Sequence, residues 1–583
     1  MKKSLTLLLL LATLSATGAE VKIKIAHRYL NLPVSHQTDR HAMRISMDGQ
    51  EQCRFVVRLT AGDPDYWVFQ DVSEYRGKTL VLAFDGPEEA LSKVYQADTF
   101  PGEEILYDEA YRPQYHFTTR RGWINDPNGL VYDRTRGEYH LFYQHNPFER
   151  EWENMHWGHA VSTDLLHWQE LPDALHPDTI GTIFSGSAWM DYDNAAGFNI
   201  PQRKDKRGRI ISPERVAMIA YYTADHPRYQ RQCMAYSLDG GRTFTKYDGN
   251  PVIDSHERWQ SHDTRDPKIF KYADGQYVLV LNERDGHTIY NSSDLKTWTP
   301  MSHLTGFWEC PELFQTPQGP WVLWGASGTY MLGDFDGTTF TPTTPKQMNL
   351  NGSAYAAQCF NQLPTANQPR LANSQQSTAK PQQPAPVKMA WGRISFPDMP
   401  FNGCMLLPQT QEVRQTDQGP RLYSYPIAAT EQLFTKVVDR SDISQQEAND
   451  LLRPFNGNDV LRIRATIHLT YATDATLRYR GQRLFDYDLN GNRLQGEFYY
   501  PPTPKSQQPT ANSQQPTAVS PLEITLDLYI DRAIVEGYVD GGAFSYSFQR
   551  DVKSPSTEGY TFTGNQLQLR RLEVFTAKSI WKE

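Results

Sequence analysis

Three short stretches of this chain set a carboxylate beside conformational punctuation. Asp126 lies in Trp123-Ile124-Asn125-Asp126-Pro127-Asn128-Gly129, Asp266 in Arg265-Asp266-Pro267, and Glu309 in Trp308-Glu309-Cys310-Pro311-Glu312. Carboxylates can act as acids, bases or nucleophiles. Each stretch also has a plain structural reading. Asn-Asp-Pro and Asn-Gly form turns, so the first is by itself a tight turn after a strand. Arg265 beside Asp266 is by itself an ion pair. Cys310 has no paired base at an evident spacing, so its simpler use is packing beside Glu309. His156 and His159 invite a metal reading, but no third ligand lies at useful spacing. Asp191-Tyr192-Asp193-Asn194 opens like a calcium loop, yet its glycine falls at the seventh position and Gln202 stands at the twelfth in place of Glu. No metal or cofactor is expected.

The elements that must hold these residues read as strands. Short alternating runs bounded by Gly, Asp, Asn and Pro recur, as in Glu138–Tyr143, Gln276–Leu281 and Val460–Ile467, and 3.6-residue periodicity is scarce. A weak repeat crosses the middle third. Ser162–Trp168, Ser237–Phe244, Ser292–Trp298 and Gly333–Phe340 each place an Asp-centred turn before an aromatic residue. Recurring units of this size suggest four-stranded propeller blades whose facing sheets bury each other's apolar sides.

At 583 residues the chain exceeds one core, and 39% apolar with 21% charged residues describes a chain that folds. Its net charge of −9 comes with no basic block, so a phosphate-backbone grip on nucleic acid is not expected. Aromatic residues reach 12%, a surplus that fits β-rich cores and flat faces for ligands. Residues 1–19 read as an export signal: Lys2 and Lys3, an apolar run from Leu5 to Leu11, then Thr17-Gly18-Ala19. The expected location is periplasmic or extracellular, and no stretch is long enough to span a membrane. Five widely spread cysteines include no C-x-x-C pair, and an odd count leaves at least one thiol free in an uncross-linked chain. Residues 364–388 and 501–521 are Pro/Gln/Ser/Thr tracts that share Ala-Asn-Ser-Gln-Gln and read as surface insertions.

Together the three acidic stretches resemble the signature of glycoside hydrolase family 32, the β-fructofuranosidases. Phe142-Tyr143-Gln144-His145-Asn146-Pro147, Trp157-Gly158-His159-Ala160-Val161-Ser162, Phe184-Ser185-Gly186-Ser187 and Leu528-Tyr529-Ile530-Asp531-Arg532 follow in family order. The resemblance covers roughly residues 112–583 without the two insertions. It implies an all-β chain: a five-bladed β-propeller at 108–408, then a β-sandwich at 409–583. Residues 20–107 add a small N-terminal β domain outside the core pattern.

The implied substrate is a fructan or fructo-oligosaccharide, with sucrose a further candidate, cleaved with retention. Asp126 corresponds to the nucleophile, Glu309 to the acid/base and Asp266 to the transition-state stabiliser. The Asp126 and Glu309 carboxyls are then expected about 5–5.5 Å apart, with Asp126 raising the pKa of Glu309. Trp123, Asn125, Gln144, Trp152, Phe184, Ser185, Arg265 and Trp391 correspond to substrate-binding positions. Where many members have Asp-Phe-Tyr-Ala, this chain has Ser353-Ala354-Tyr355-Ala356, losing an acid near the rim. Two alternatives use the same fold: a fructosyltransferase with the same residues, and a non-catalytic fructan-binding protein, against which the three retained carboxylates speak. Ser237–Phe244 also fits a sialidase-type turn, but only this one turn fits well. Linkage preference, endo or exo cleavage and oligomeric state are not legible in these motifs.

Overall fold

The structure is a computed structural model describing residues 19–317, 319–364, 384–469, 474–488, 493–499, 522–565 and 567–581. The expected leader, apart from Ala19, lies outside the described residues, as do the 501–521 tract and most of the 364–388 tract. Ala19 itself opens the first strand, Ala19–Lys24, where it pairs with Phe84.

Two compact units divide the chain. The first runs to Ile105 and includes Pro147–Glu149. A four-stranded sheet orders Ala19–Lys24, Thr79–Phe84, His41–Met47 and Gln50–Val57, and a three-stranded sheet orders Tyr66–Asp71, Tyr29–Val34 and Tyr95–Ala97. Their apolar faces meet in a core containing Leu30, Leu32, Met43, Ile45, Phe55 and Leu82. Phe148 stacks on Phe55 at 3.5 Å, and the buried Glu149 accepts from Arg40 at 2.8 Å and Arg58 at 2.9 Å.

The second unit begins with five sheets, the blades of a propeller, antiparallel except where the short strand Phe401–Asn402 pairs parallel to the inner strand of the first. From the innermost strand outward, the first blade runs Gly122–Asp133, Glu138–Asn146, His156–Ser162, Gln169–Leu175. The second is Thr182–Met190, Met218–His226, Tyr229–Ser237, Thr245–Lys246, and the third is Thr264–Ala273, Gln276–Glu283, Gly286–Ser292, Thr299–Thr305. The fourth is Glu312–Gln315, Trp321–Trp324, Thr329–Phe335, Phe340–Pro342, and the fifth is Ala354–Cys359, Val387–Gly392, Gln409–Thr416, Gly419–Pro426. The innermost strand of the fifth blade lies against that of the first, which closes the ring.

The four Asp-centred turns occupy one position in this repeat, between the third and fourth strands of the first four blades. In the first, Ser162 Oγ accepts from the Leu165 amide and Asp164 Oδ1 from the Leu166 amide. Ser292 and Asp294 repeat the pattern toward Leu295 and Lys296. Trp168, Trp298 and Phe340, the closing aromatics of three turns, are buried. An Asx turn plus an apolar anchor thus sets where each outer strand begins.

Two expected boundaries shift. A domain edge at 408/409 cuts the fifth blade, because Gln409–Thr416 pairs with Val387–Gly392 through Lys388↔Gln409 and Val387↔Thr410. Val387 and Lys388, expected at the end of an insertion, are a buried part of that blade. A low-complexity tract can feed straight into a strand, and composition does not mark the join.

Beyond the propeller, a seven-stranded sheet faces a five-stranded one across an apolar layer that includes Ile463, Ile467, Leu526, Leu572, Leu477 and Phe485. This is the expected sandwich. The cysteines Cys53, Cys233, Cys310, Cys359 and Cys404 are all free.

Candidate active site

Four of the five innermost strands carry one extra residue at the same end. The ladder slips between Ile124 and Pro127, between Phe184 and Gly186, between Arg265 and Lys268, and between Tyr355 and Gln358. Bulges of this kind bend a strand and re-aim a side chain. They free Asn125 and Asp126, Ser185, Asp266, and the segment following Tyr355 from regular pairing. The fourth blade reaches the same place by positive φ: Glu309 at 51° and Cys310 at 39°, just before Glu312–Gln315. Asp266 also has a positive φ, 65°. Non-glycine residues in this region are held there by their surroundings. The Glu309 amide donates to Asn282 Oδ1 at 2.9 Å and the Asp266 amide to Thr223 Oγ1 at 2.9 Å.

The result is one cleft of about 450 Å³ bordered by Asp126, Asp266 and Glu309. Ser185 Oγ donates to Asp126 Oδ2 at 2.7 Å and Asn125 Nδ2 to Asp126 Oδ1 at 3.1 Å. The Cys310 thiol touches both aspartates, with Sγ 3.5 Å from Asp126 Oδ2 and 3.6 Å from Asp266 Oδ2, and its amide donates to Asp266 Oδ2 at 2.9 Å. Glu309 is held at both oxygens: Arg265 Nη2 donates to Oε1 at 2.7 Å and the Tyr355 hydroxyl to Oε2 at 2.6 Å.

Burial pushes the Asp126 carboxyl up from its ordinary value, against the hydrogen bonds from Ser185 and Asn125. Asp266 is pushed further, to about 7, by burial and the nearby Asp126 charge, with Arg265 pulling the other way. Burial and the surrounding carboxylates drive the Cys310 thiol well above its ordinary range.

Of the eight expected substrate-binding residues, Asn125, Gln144, Trp152, Phe184, Ser185, Arg265 and Trp391 line this cleft. Trp123 is not among these lining residues; its indole N–H donates to Asn125 Oδ1 at 2.8 Å and its ring meets Trp391 edge-on. Trp152 is half exposed and meets Phe184 edge-on. Gln144 Nε2 and Trp391 Nε1 are buried donors without partners among the described residues. The motifs missed Tyr355, Asp225, Gln230 and His262, which also line the cleft. His159 faces His140 at 3.0 Å and His156 takes the Asn154 carbonyl, so the two candidate metal histidines have separate partners.

The inner strands of the propeller and the segment before the fourth thus bring three carboxylates to one cleft, and the second strands of two blades add the unpartnered Gln144 amide and Trp391 indole donors, a set of groups suited to glycoside hydrolysis. The profile of the glycosyl hydrolases family 32 N-terminal domain matches residues 116–426, and the chain belongs to that family. It is 32% identical over 533 residues to a levanase of Bacillus subtilis, covering 84% of this chain and 74% of the relative. It is 30% identical to an extracellular exo-inulinase of Aspergillus niger, covering 82% and 96%. The exo-inulinase structure from Aspergillus awamori superposes with a TM-score of 0.60 at 25% identity, over 82% of this chain and all of that one. A fructofuranosidase structure from Schwanniomyces occidentalis shares the fold, with a TM-score of 0.63.

Proposed function

We propose that this chain hydrolyses β-fructofuranosyl linkages in fructans, and in sucrose, with retention through a covalent fructosyl-enzyme. The relatives named levanase, exo-inulinase and invertase support the substrate class. The observation that carries the site assignment is the convergence of Asp126, Asp266 and Glu309 on one cleft, with Ser185 holding the Asp126 carboxyl, Arg265 and Tyr355 that of Glu309, and the Cys310 amide that of Asp266. Asp126 attacks the anomeric carbon while Glu309 protonates the departing oxygen. Glu309 then takes a proton from the incoming water, whose oxygen releases the sugar from Asp126. Asp266 faces the ring hydroxyls and strengthens its hydrogen bonds as charge develops. The unpartnered Gln144 and Trp391 donors serve the terminal fructose.

Residues 1–19 are assigned to export, in line with a relative named extracellular. The N-terminal β unit, the propeller through Pro426 and the following sandwich are assigned as three domains. No helix among the described residues is long and apolar enough to cross a membrane.

Asp126→Ala and Glu309→Ala, each with wild-type circular dichroism, are expected to lose at least about a thousandfold in kcat on levan, inulin or sucrose. Near-normal turnover by Asp126→Ala would sink the assignment. Product sizing separates hydrolysis from transfer, and NMR of the first-formed anomer reads retention.

A further inference from the structure

The cleft has a wall that the hydrolytic reading leaves without a task. Strand Met218–His226 and the strand after it, Tyr229–Ser237, bring Asp225 opposite Gln230. Gln230 Nε2 donates to Asp225 Oδ1 at 3.0 Å, and Arg265 Nη1 donates to Gln230 Oε1 at 3.2 Å. Arg265 in turn holds Glu309. A hydrogen-bonded row thus runs from Glu309 through Arg265 and Gln230 to Asp225, with His262 Nε2 4.0 Å from the Asp225 carboxylate. None of the hydrogen-bond partners of Asp126, which are Asn125, Ser185 and Cys310, belongs to that row.

This asymmetry has a chemical meaning. The fructosyl unit is attacked from the Asp126 side and its leaving oxygen departs toward Glu309. The wall that Arg265, Gln230 and Asp225 form beside Glu309, sharing no hydrogen bond with Asp126, is therefore the one placed to meet the leaving sugar. Resting on the fructosidase reading, we propose that Asp225 is a specificity-determining residue that accepts hydrogen bonds from hydroxyls of the leaving sugar and selects uncharged leaving groups over phosphorylated or carboxylated ones. Asp225 is partly exposed to the cleft, and its carboxylate meets no lysine or arginine within ion-pair distance among the described residues. Four carboxylates and one guanidinium line the cleft, and that guanidinium is already engaged by Asp263, Gln230 and Glu309. An anionic leaving group entering here meets the Asp225 carboxylate, and no unengaged lysine or arginine among the described lining residues offsets it. A neutral polyol meets acceptors, and a hydrogen bond to a charged acceptor is stronger than one to a neutral group.

The test is steady-state kinetics of wild type, Asp225→Asn and Asp225→Ala on four fructosides. These are a fructosyl trisaccharide, sucrose, sucrose carrying phosphate on the glucosyl 6-hydroxyl, and an aryl β-fructofuranoside whose leaving group has no hydroxyls. Asparagine still accepts from Gln230, and thermal melts report whether each variant folds. The expected result is an about ten- to hundredfold loss of kcat/KM on the trisaccharide, mostly through KM, with a much smaller loss on the aryl substrate. Wild type is also expected to favour sucrose over its phosphate, and Asp225→Asn to narrow that preference at least about tenfold. If wild type cleaves these fructosides and both variants keep its ratios between substrates, the assignment of Asp225 is overturned and the proposed function stands. If wild type cleaves none of them, both are overturned.

Discussion

Arg265 holds Glu309 by a single 2.7 Å hydrogen bond from Nη2 to Oε1, while its other terminal nitrogen is anchored on Asp263 at 2.6 Å. A one-point grip lets a carboxylate pivot, and the second point is the Tyr355 hydroxyl on Oε2. Tyr355→Phe keeps the ring against Trp391 and removes only that donor. The expected effect is an about tenfold loss of kcat with KM little changed, because orientation of the proton donor matters at the transition state. An equal loss confined to KM would show that Tyr355 binds substrate and does not position Glu309.

Asp266 invites a prediction that joins stability to function. Its carboxyl is buried and titrates near 7, above its ordinary value near 3.8. A raised acid is unfavourable for the fold: the unfolded chain releases its proton first, so stability is lost as pH climbs from about 4 to 7 and stays lost above that. Asp266→Asn removes the ionisation and keeps an acceptor for the Cys310 amide. It is expected to be inactive yet more resistant to denaturant at pH 7.5, by on the order of 2–4 kcal/mol, with the gain vanishing near pH 4. Unfolding curves of both proteins at the two pH values decide the matter.

How much of this was legible beforehand follows from how each residue is placed. Asn125-Asp126-Pro127, Arg265-Asp266-Pro267 and Glu309-Cys310-Pro311 announce themselves because a bulge or a positive φ needs local punctuation, and punctuation is written in adjacent residues. Tyr355 left only an indirect trace. It sits in the tetrapeptide Ser353–Ala356, noticed for the acid it lacks, while its bond to Glu309 spans 46 residues and depends on blade packing. Asp225, Gln230 and His262 left none, since a hairpin tip and a loop between blades carry no motif. Between Trp123 and Asp126 a bulge breaks the two-residue alternation that relates neighbours on a strand, so a simple strand pattern does not say which face Trp123 takes. The edge of the fifth blade is not legible locally, because the pairing Lys388↔Gln409 is long-range.

Cys310 bridges the two aspartates through weak sulfur contacts. Burial and the neighbouring carboxylates drive its thiol well above its ordinary range, which disfavours the thiolate that nucleophilic attack or oxidation needs. Its use is to fill the gap between two carboxyls with a donor of low polarity. Cys310→Ala is expected to lower kcat about tenfold and to leave substrate preference intact. In wild type, iodoacetamide at pH 8 is expected to leave Cys310 unmodified until denaturant is added, which peptide mass spectrometry reads directly.

His116 joins the start of the propeller to the sandwich, Nδ1 on Asp531 at 2.8 Å and Nε2 on Glu536 at 2.7 Å, all three buried. With a carboxylate at each ring nitrogen, the charged imidazole can donate to both. Burial opposes that charge, but the hydrogen bonds to Asp531 and Glu536 outweigh it and push the pKa up to about 9. A histidine raised in the fold stabilises it fully below its ordinary value of 6.5, and that contribution disappears as pH rises through 9. Another group acts with the opposite sign in part of this window. Burial lowers Lys388 to about 7, so its neutral form suits the fold and stability recovers as pH climbs from 7 toward 10. The wild-type curve alone mixes the two; the difference between wild type and His116→Gln isolates one. That difference is expected to be largest near pH 6 and to shrink by on the order of 2–3 kcal/mol by pH 10. The part remaining at pH 10 reflects packing and neutral hydrogen bonds. Denaturant midpoints of the two proteins at pH 6, 8 and 10 measure it, and a difference independent of pH would mean that His116 is neutral between its two acids.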